Sequence, residues 1–303
     1  MGTSITKHYG IAGPVPFADI DVDCDNKRFL DAHIIRRWGS SNPHAATAVL
    51  SFDTFFDTIS LGAMSSAASA REQALDLLTH FEEPWETRLG MAAEGFAGHG
   101  GAEDIGSRIW HALCNDLDAL LRVGVLKHLE ELPLFVEGVD RDITSDMTTR
   151  IAFGALADFT ADMLVQYPEF TAGSHQTGVV ERQVWDPSTL TWALRPVELP
   201  IVNGKPLLLV PAEWVRSTLL LNARRFYETS VLSYAQGEQV VFDAHGKPLR
   251  TPKYELKRQE GLARGRETNR EVTLRADRDG QDLLAIFRGF VAERLELAKR
   301  AAA

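Results

Sequence analysis

Residues 178–211 read GVVERQVWDPSTLTWALRPVELPIVNGKPLLLVP, and this stretch decides the fold class. Val179-Val180, Val184-Trp185, Leu190 to Leu194 and Leu207 to Val210 are short runs rich in β-branched, aromatic and aliphatic residues that suit a pleated surface. Turn chemistry separates them. Asp186-Pro187 favours a chain reversal, and Asn203-Gly204 is the dipeptide of a two-residue hairpin, because both residues tolerate the positive φ that such a turn needs. The middle third therefore reads as a β-meander or small antiparallel sheet.

Outside it, the apolar period changes from 2 to 3.6. Val49, Phe52, Phe56 and Ile59 form one stripe, with Asp53 and Asp57 opposite. Ser69 and Glu72 have the spacing of a capping box for a helix carrying Leu75, Leu78 and Phe81, which Pro84 ends. Further helices are predicted over 103–122, ended by Gly124, over 145–166, closing before Pro168, over 213–236 and over 282–300. Two short strands are predicted besides the meander: 16–25, alternating apolar and acidic, and the apolar run LPLFVE at 132–137. The fold class is thus α+β, predominantly helical with a small, mainly antiparallel sheet in the middle third. Residues 1–170 form a mostly helical acidic body; 171–303 form the meander plus helices with a basic polar segment, an arrangement also compatible with one continuous domain.

The chain has 303 residues, 45% of them hydrophobic and 24% charged, enough for a sizeable core and unlike a disordered chain. Cys24 and Cys114 belong to no CxxC pair, so neither a disulfide framework nor a cysteine-rich zinc site is expected. The opening MGTSITKHYG lacks the apolar stretch of a signal peptide, and no run of 18 apolar residues follows. No membrane association and a cytoplasmic location are expected. The net charge of −10 argues against a protein that coats nucleic acid through bulk positive charge. It is unevenly spread: residues 212–303 carry 17 Lys+Arg against 13 Asp+Glu, or +4, leaving 15 − 29 = −14 for residues 1–211. Within the basic end, Lys253, Lys257, Arg258, Arg264 and Arg266 are candidates to guide a phosphate backbone, although interleaved charge also suits a plain solvated surface.

The acidic group with most chemical promise is Glu137, Asp140, Asp142 and Asp146. Carboxylates so close in sequence can converge on one Mg²⁺ or Mn²⁺, hard cations that prefer oxygen ligands and polarise a phosphoryl group. Arg150, one helical turn beyond Asp146, would steady a phosphate. Glu137, Asp140, Asp142 and Arg150 are the catalytic candidates, and the four carboxylates the metal ligands. The competing explanation is a helix start, with Thr144 or Ser145 as cap and Asp142 and Asp146 at its positive end. The spacing lacks the glycine and closing glutamate of a calcium loop. Asp19, Asp21 and Asp23 share one strand face and protect a wet edge or hold a cation. Asp243 with Glu255-x-Lys257 has the residue types of a nuclease metal site but polar flanks, where a buried strand is required. Gly95, Gly98, Gly100 and Gly101 precede a helix without the lysine of a phosphate loop, and the histidines form no HExxH.

Several segments resemble an uncharacterised family of bacterial proteins associated with restriction and phage-defence gene neighbourhoods: FADIDVDCDNKRFLDAHII (17–35), ETRLG (86–90), VEGVDRDITSDMTTRI (136–151) and KPLLLVP (205–211). The resemblance implies a context of host defence and brings no catalytic residue with it. The functional expectation is a defence-associated protein that recognises or acts on nucleic acid, by metal-dependent phosphodiester hydrolysis in its catalytic form. The alternative is a non-catalytic sensor or adaptor for a partner protein of a defence system. It calls for an exposed aromatic patch, with Trp185, Trp192 and Trp214 as candidates; an ordinary core is the preferred reading of these three.

Overall fold

The computed structural model describes residues 2–79, 84–90 and 102–302. In chain order the elements are α1 (Ile5–Tyr9), β1 (Phe29–Leu30), α2 (Ala32–Trp38), α3 (Pro43–Met64), α4 (Ala68–Thr79), α5 (Ala102–His111), α6 (Asp118–Arg122), α7 (Arg141–Ile151), α8 (Phe153–Gln166), β2 (Gln176–Asp186), β3 (Thr191–Val202), β4 (Lys205–Pro206) and β5 (Val215–Arg216). There follow α9 (Ala223–Phe226), α10 (Leu232–Glu238), β6 (Val241–Phe242), β7 (Pro248–Leu249), α11 (Lys253–Leu256), α12 (Arg266–Arg278) and α13 (Leu283–Ala302). The protein is α+β, mostly helical, and its small sheets are antiparallel. The chain divides into two compact units: 1–111, 128–130 and 139–219 form the first, and 112–127, 131–138 and 220–303 the second. The β2–β3–β4 sheet belongs to the first unit, with the acidic helices.

Within the first unit, α3 starts where Asn42 accepts a hydrogen bond from the Ala45 amide (3.0 Å) and Pro43 supplies a preset φ. Its stripe of Phe52, Phe55, Phe56 and Ile59 is buried. The close approach of α4 requires glycine: a Cβ at Gly62 would lie 2.3 Å from the Ala74 Cβ and 2.9 Å from the Ala70 carbonyl oxygen. Gly62→Ala is therefore expected to cost about 1–3 kcal/mol through overpacking, read as a lower urea midpoint at unchanged m-value.

The β2–β3 ladder runs from Gln176↔Ile201 to Asp186↔Thr191, and Asn203-Gly204 turns β3 into β4 with φ of 51° and 75°. The hairpin is held to the helices by aromatic rings. Trp185 and Trp192 pair across the strands with centroids 5.5 Å apart, and both pack on Phe55. Their indole N–H groups donate to Thr54 Oγ1 (2.9 Å) and to the Leu77 carbonyl (3.0 Å). Trp185 and Trp214 are buried and Trp192 half-buried, so these tryptophans are core.

Several local expectations are corrected. Residues 132–137 are no strand: a 3-10 turn spans Leu129–Leu134, and Leu132, Leu134, Phe135 and Val136 are buried all the same. Pro133 has no N–H for a ladder, and an all-apolar run does not reveal its period. Residues 16–25 make only isolated bridges, with Asp19 accepting from the Thr6 amide and hydroxyl and Asp21 from the Asp23 amide. Ser69 lies inside α4, so it caps nothing. The 103–122 helix opens into a π turn at Ala112–Asp116, and the expected 213–236 helix begins only at the Asn222 cap. The polar segment between the helices expected over 213–236 and 282–300 is itself structured, with the β6–β7 hairpin, α11 and α12, whose Val272, Thr273 and Ala276 are buried. The 95–101 glycine cluster lies outside the described residues.

α1 carries a pH-sensitive contact. The His8 ring sits 5.3 Å from that of His175. Burial, and then the His175 charge, lower its pKa from 6.5, with Asp23 opposing. A histidine depressed in the folded state contributes stability that is fully present above about pH 6.5 and is lost as pH falls through the folded value. His8→Gln is expected to flatten the fall in melting temperature between pH 7 and pH 5.

The second unit packs around Phe135, Phe226 and Phe287, with ring centroids 5.7 Å and 5.2 Å apart along that series. Its buried Glu131 is paired with Arg288 and accepts from the Lys127 amide (3.1 Å).

Candidate anion-binding pocket

The sequence-predicted acidic group falls apart into separate roles. Asp140 is the N-cap of α7: its Oδ1 accepts from the Asp142 amide (3.1 Å), and its carbonyl accepts from the Thr144 hydroxyl (2.5 Å). Asp142 is half-buried, and its Oδ1 has no hydrogen-bond partner. Burial, and then the Asp140 charge, push its carboxyl upward, with Arg141 opposing. Asp146 is half-buried on the same helix. Arg150 is 1% exposed, donates to the Gln183 carbonyl (3.2 Å) and stacks over Phe153 at 4.8 Å, so it ties α7 to β2 from inside the first unit. Glu137 belongs to the second unit. Among the described residues no three His, Cys, Asp or Glu side chains are grouped to hold a metal ion.

The basic candidates also divide. Lys253 donates to the Glu228 carbonyl (2.7 Å) and to Ser233 Oγ (2.8 Å), and burial lowers its pKa. Lys257 pairs with Glu228 Oε1 at 2.7 Å. Arg258 is exposed on the turn after α11. Arg264 and Arg266 instead line a pocket of about 160 Å³ within the second unit, together with Glu137, Arg224, Gly265 and Asn269. Three of the residues singled out from the sequence, Glu137, Arg264 and Arg266, thus meet in one place.

Local structure explains the arrangement. Asn222 caps α9, its Oδ1 accepting from the Arg225 amide (2.9 Å), and this sets Arg224 in the first turn. Gly265 is the N-cap of the 13-residue α12, in extended backbone and without a side-chain cap bond. The first N–H groups of a helix have no intrahelical partner and lie at the positive end of its dipole, which suits an anion. Tyr227 also lines the pocket; its hydroxyl donates to the Leu262 carbonyl (2.6 Å). Burial and Glu228 push the Tyr227 pKa up while Arg264 works the other way, as a guanidinium near the phenol must. Asn269, one turn into α12 and 1% exposed, donates Nδ2 to the Leu134 carbonyl (2.8 Å), and its Oδ1 has no partner. Arg224 and Asn269 were not visible as site residues in the sequence, since nothing in their spacing links residue 224 to 264.

Fold and site together define an α+β protein whose second unit carries an arginine-lined pocket at a helix start. Residues 12–222 match the family described as a domain of unknown function, DUF8370, and the chain belongs to that family. No curated protein and no solved structure matches it. The match ends close to the end of the first unit at Leu219, and of the pocket residues only Glu137 lies within it. Among the described residues no helix is long and apolar enough to cross a membrane.

Proposed function

We propose that the protein recognises nucleic acid through phosphate held at Arg224, Arg264 and Arg266, as a component of bacterial host defence. The observation that carries the reading is that these three arginines line one pocket at the start of α12, which lacks a side-chain cap. Guanidinium groups bind phosphate through charge-assisted, often bidentate hydrogen bonds. The charge distribution supports the same place: the second unit has 18 Lys+Arg and 16 Asp+Glu, or +2, and the first unit 14 − 26 = −12. The defence context rests on the sequence resemblance described above. Contacts to charged groups are worth about 1.5–3 kcal/mol each. The double variant Arg264→Gln/Arg266→Gln is therefore expected to weaken binding of labelled RNA or DNA at least about tenfold, and to reduce the slope of log affinity on log salt by about 1–2. Fluorescence anisotropy between 50 and 200 mM salt checks this, and unchanged affinity and slope would refute it.

A second reading is hydrolysis with Mg²⁺ or Mn²⁺, for which Asp142 is the best placed carboxylate. Its unpartnered Oδ1 lies 3.5 Å, and Asp25 Oδ2 3.9 Å, from where a Cβ on Gly90 would stand. Cleavage products that appear only with Mg²⁺ or Mn²⁺ would support this form; intact nucleic acid after prolonged incubation with either cation would reject it.

A further inference from the structure

We propose that His8 and His175 together bind one late first-row divalent ion, Zn²⁺ or Cu²⁺, as a two-histidine chelate in the first unit. The pair stands apart from the phosphate pocket and from the carboxylates considered for Mg²⁺ or Mn²⁺. His8 lies in α1 and His175 just before β2, and both side chains are half-buried. Their ring centroids are 5.3 Å apart, with the planes tilted by 31°. That spacing suits a shared ion. With Zn–N bonds of about 2.0–2.1 Å, a ring whose nitrogen points at the metal has its centroid roughly 3.2 Å from it, and a tetrahedral angle then sets two such centroids roughly 5.2 Å apart.

The nitrogen chemistry agrees. His175 Nδ1 lies 3.1 Å from the Glu169 carbonyl, which can only accept, so in the neutral ring Nδ1 carries the proton and Nε2 the lone pair. Metal-binding histidines make this bond to a backbone carbonyl through the nitrogen that does not meet the ion. Among the described residues the His8 ring makes ring contacts but no hydrogen bond, which leaves its lone pair available. Burial and the neighbouring His175 favour the neutral form of His8, the form that coordinates; Asp23, whose charge acts on His8, favours a cation there in the same sense. Imidazole nitrogens suit Zn²⁺ and Cu²⁺, whereas Mg²⁺ and Mn²⁺ prefer oxygen. Two protein ligands leave the other positions of the ion to water or to an incoming donor, unlike the closed four-ligand sites that hold structural zinc.

The test is a calorimetric titration of Zn²⁺ into the full chain, first stripped with EDTA and dialysed. A saturable site is expected, and Mg²⁺ in its place should give no comparable heat. Loss of an outer partner of a metal ligand already costs about 10–100-fold in affinity, so His8→Gln and His175→Gln are each expected to weaken Zn²⁺ at least about tenfold. The double variant should fall little further than either single one, because a chelate is lost when one arm goes. His44→Gln, whose ring pairs with Asp162 instead, should bind as the unaltered chain does. Absence of saturable uptake, unchanged affinity in either single variant, or losses that simply add would overturn the proposal. Cu²⁺ on the unaltered protein gives a measure that needs no variant to fold: electron spin echo modulation is expected to count two coordinated imidazoles, and one or none would overturn the chelate.

Discussion

Arg36→Leu is expected to lower the unfolding free energy by about 3–5 kcal/mol, the typical cost of leaving one half of a buried ion pair behind. Arg36 is the hub of an ionic cluster inside the first unit. Its Nε lies 2.6 Å from Glu130 Oε1, its Nη2 donates to Glu130 Oε2 at 3.3 Å, and its Nη1 lies 2.8 Å from Asp53 Oδ1. Glu130 is 3% exposed. Burial alone would raise its pKa, but the hydrogen bonds and charge of Arg36, aided by His128, outweigh that and hold the carboxyl below its usual range. A carboxyl depressed in the folded state contributes stability that is present above the unfolded value near pH 4.3 and is lost as pH falls through the folded one. Without Arg36 the same burial acts unopposed by its strongest partner, and the stability of the variant should decline less, or even rise, as pH is lowered from 7 to 5. Urea unfolding at both pH values measures this, with Arg36→Leu/Glu130→Leu expected to recover most of the loss. A loss under about 1 kcal/mol would show that the cluster is solvated rather than buried.

Trp185→Ala is expected to cost a further class of stability, about 3–5 kcal/mol, through the cavity left by a buried tryptophan. The side chain is 4% exposed, meets Phe55 edge-on at 5.1 Å and donates to Thr54 Oγ1, so it joins the hairpin to α3. Thr54 keeps its own bond to the Leu50 carbonyl (2.7 Å), so no hydroxyl is stranded in the variant and the loss reports packing. The Trp185–Trp192 pair should also vanish from the near-ultraviolet circular dichroism spectrum. Trp185→Phe, which refills much of the volume, is expected to lose clearly less. Equal losses for the two variants would mean that the indole N–H, rather than the ring, fastens the hairpin.

What the sequence disclosed and what it hid follow from the range of the forces involved. The α3 stripe of Phe52, Phe56 and Ile59 and the Asn203-Gly204 turn are written locally, one in a 3.6 period and the other in two residues suited to positive φ, and both stand in the structure. LPLFVE misled because residues buried on every side show no period, so a 3-10 turn and a strand look alike there. Thr144 and Ser145 are competent caps for α7, yet Asp140 performs the role; the three lie close together in sequence, and only the backbone conformation chooses among them. Arg150 looked like a phosphate ligand because its charge is visible in the sequence and its burial against Gln183 and Phe153 is not. The pocket was half legible. Arg264 and Arg266 stand out in a basic stretch, while Arg224 joins them only through tertiary packing and Asn269, one turn into α12, has no charge to single it out.

Photocrosslinking tests most directly whether nucleic acid meets this pocket. A single-stranded RNA with 4-thiouridine at its centre would be irradiated with the full chain, and the crosslinked peptides mapped by mass spectrometry. Crosslinks are expected in the peptides carrying Arg224 to Tyr227 and Arg264 to Asn269, and they should disappear in Arg264→Gln/Arg266→Gln. Crosslinks confined to the first unit, residues 2–111, 128–130 and 139–219, and unaffected by that variant, would contradict the assignment.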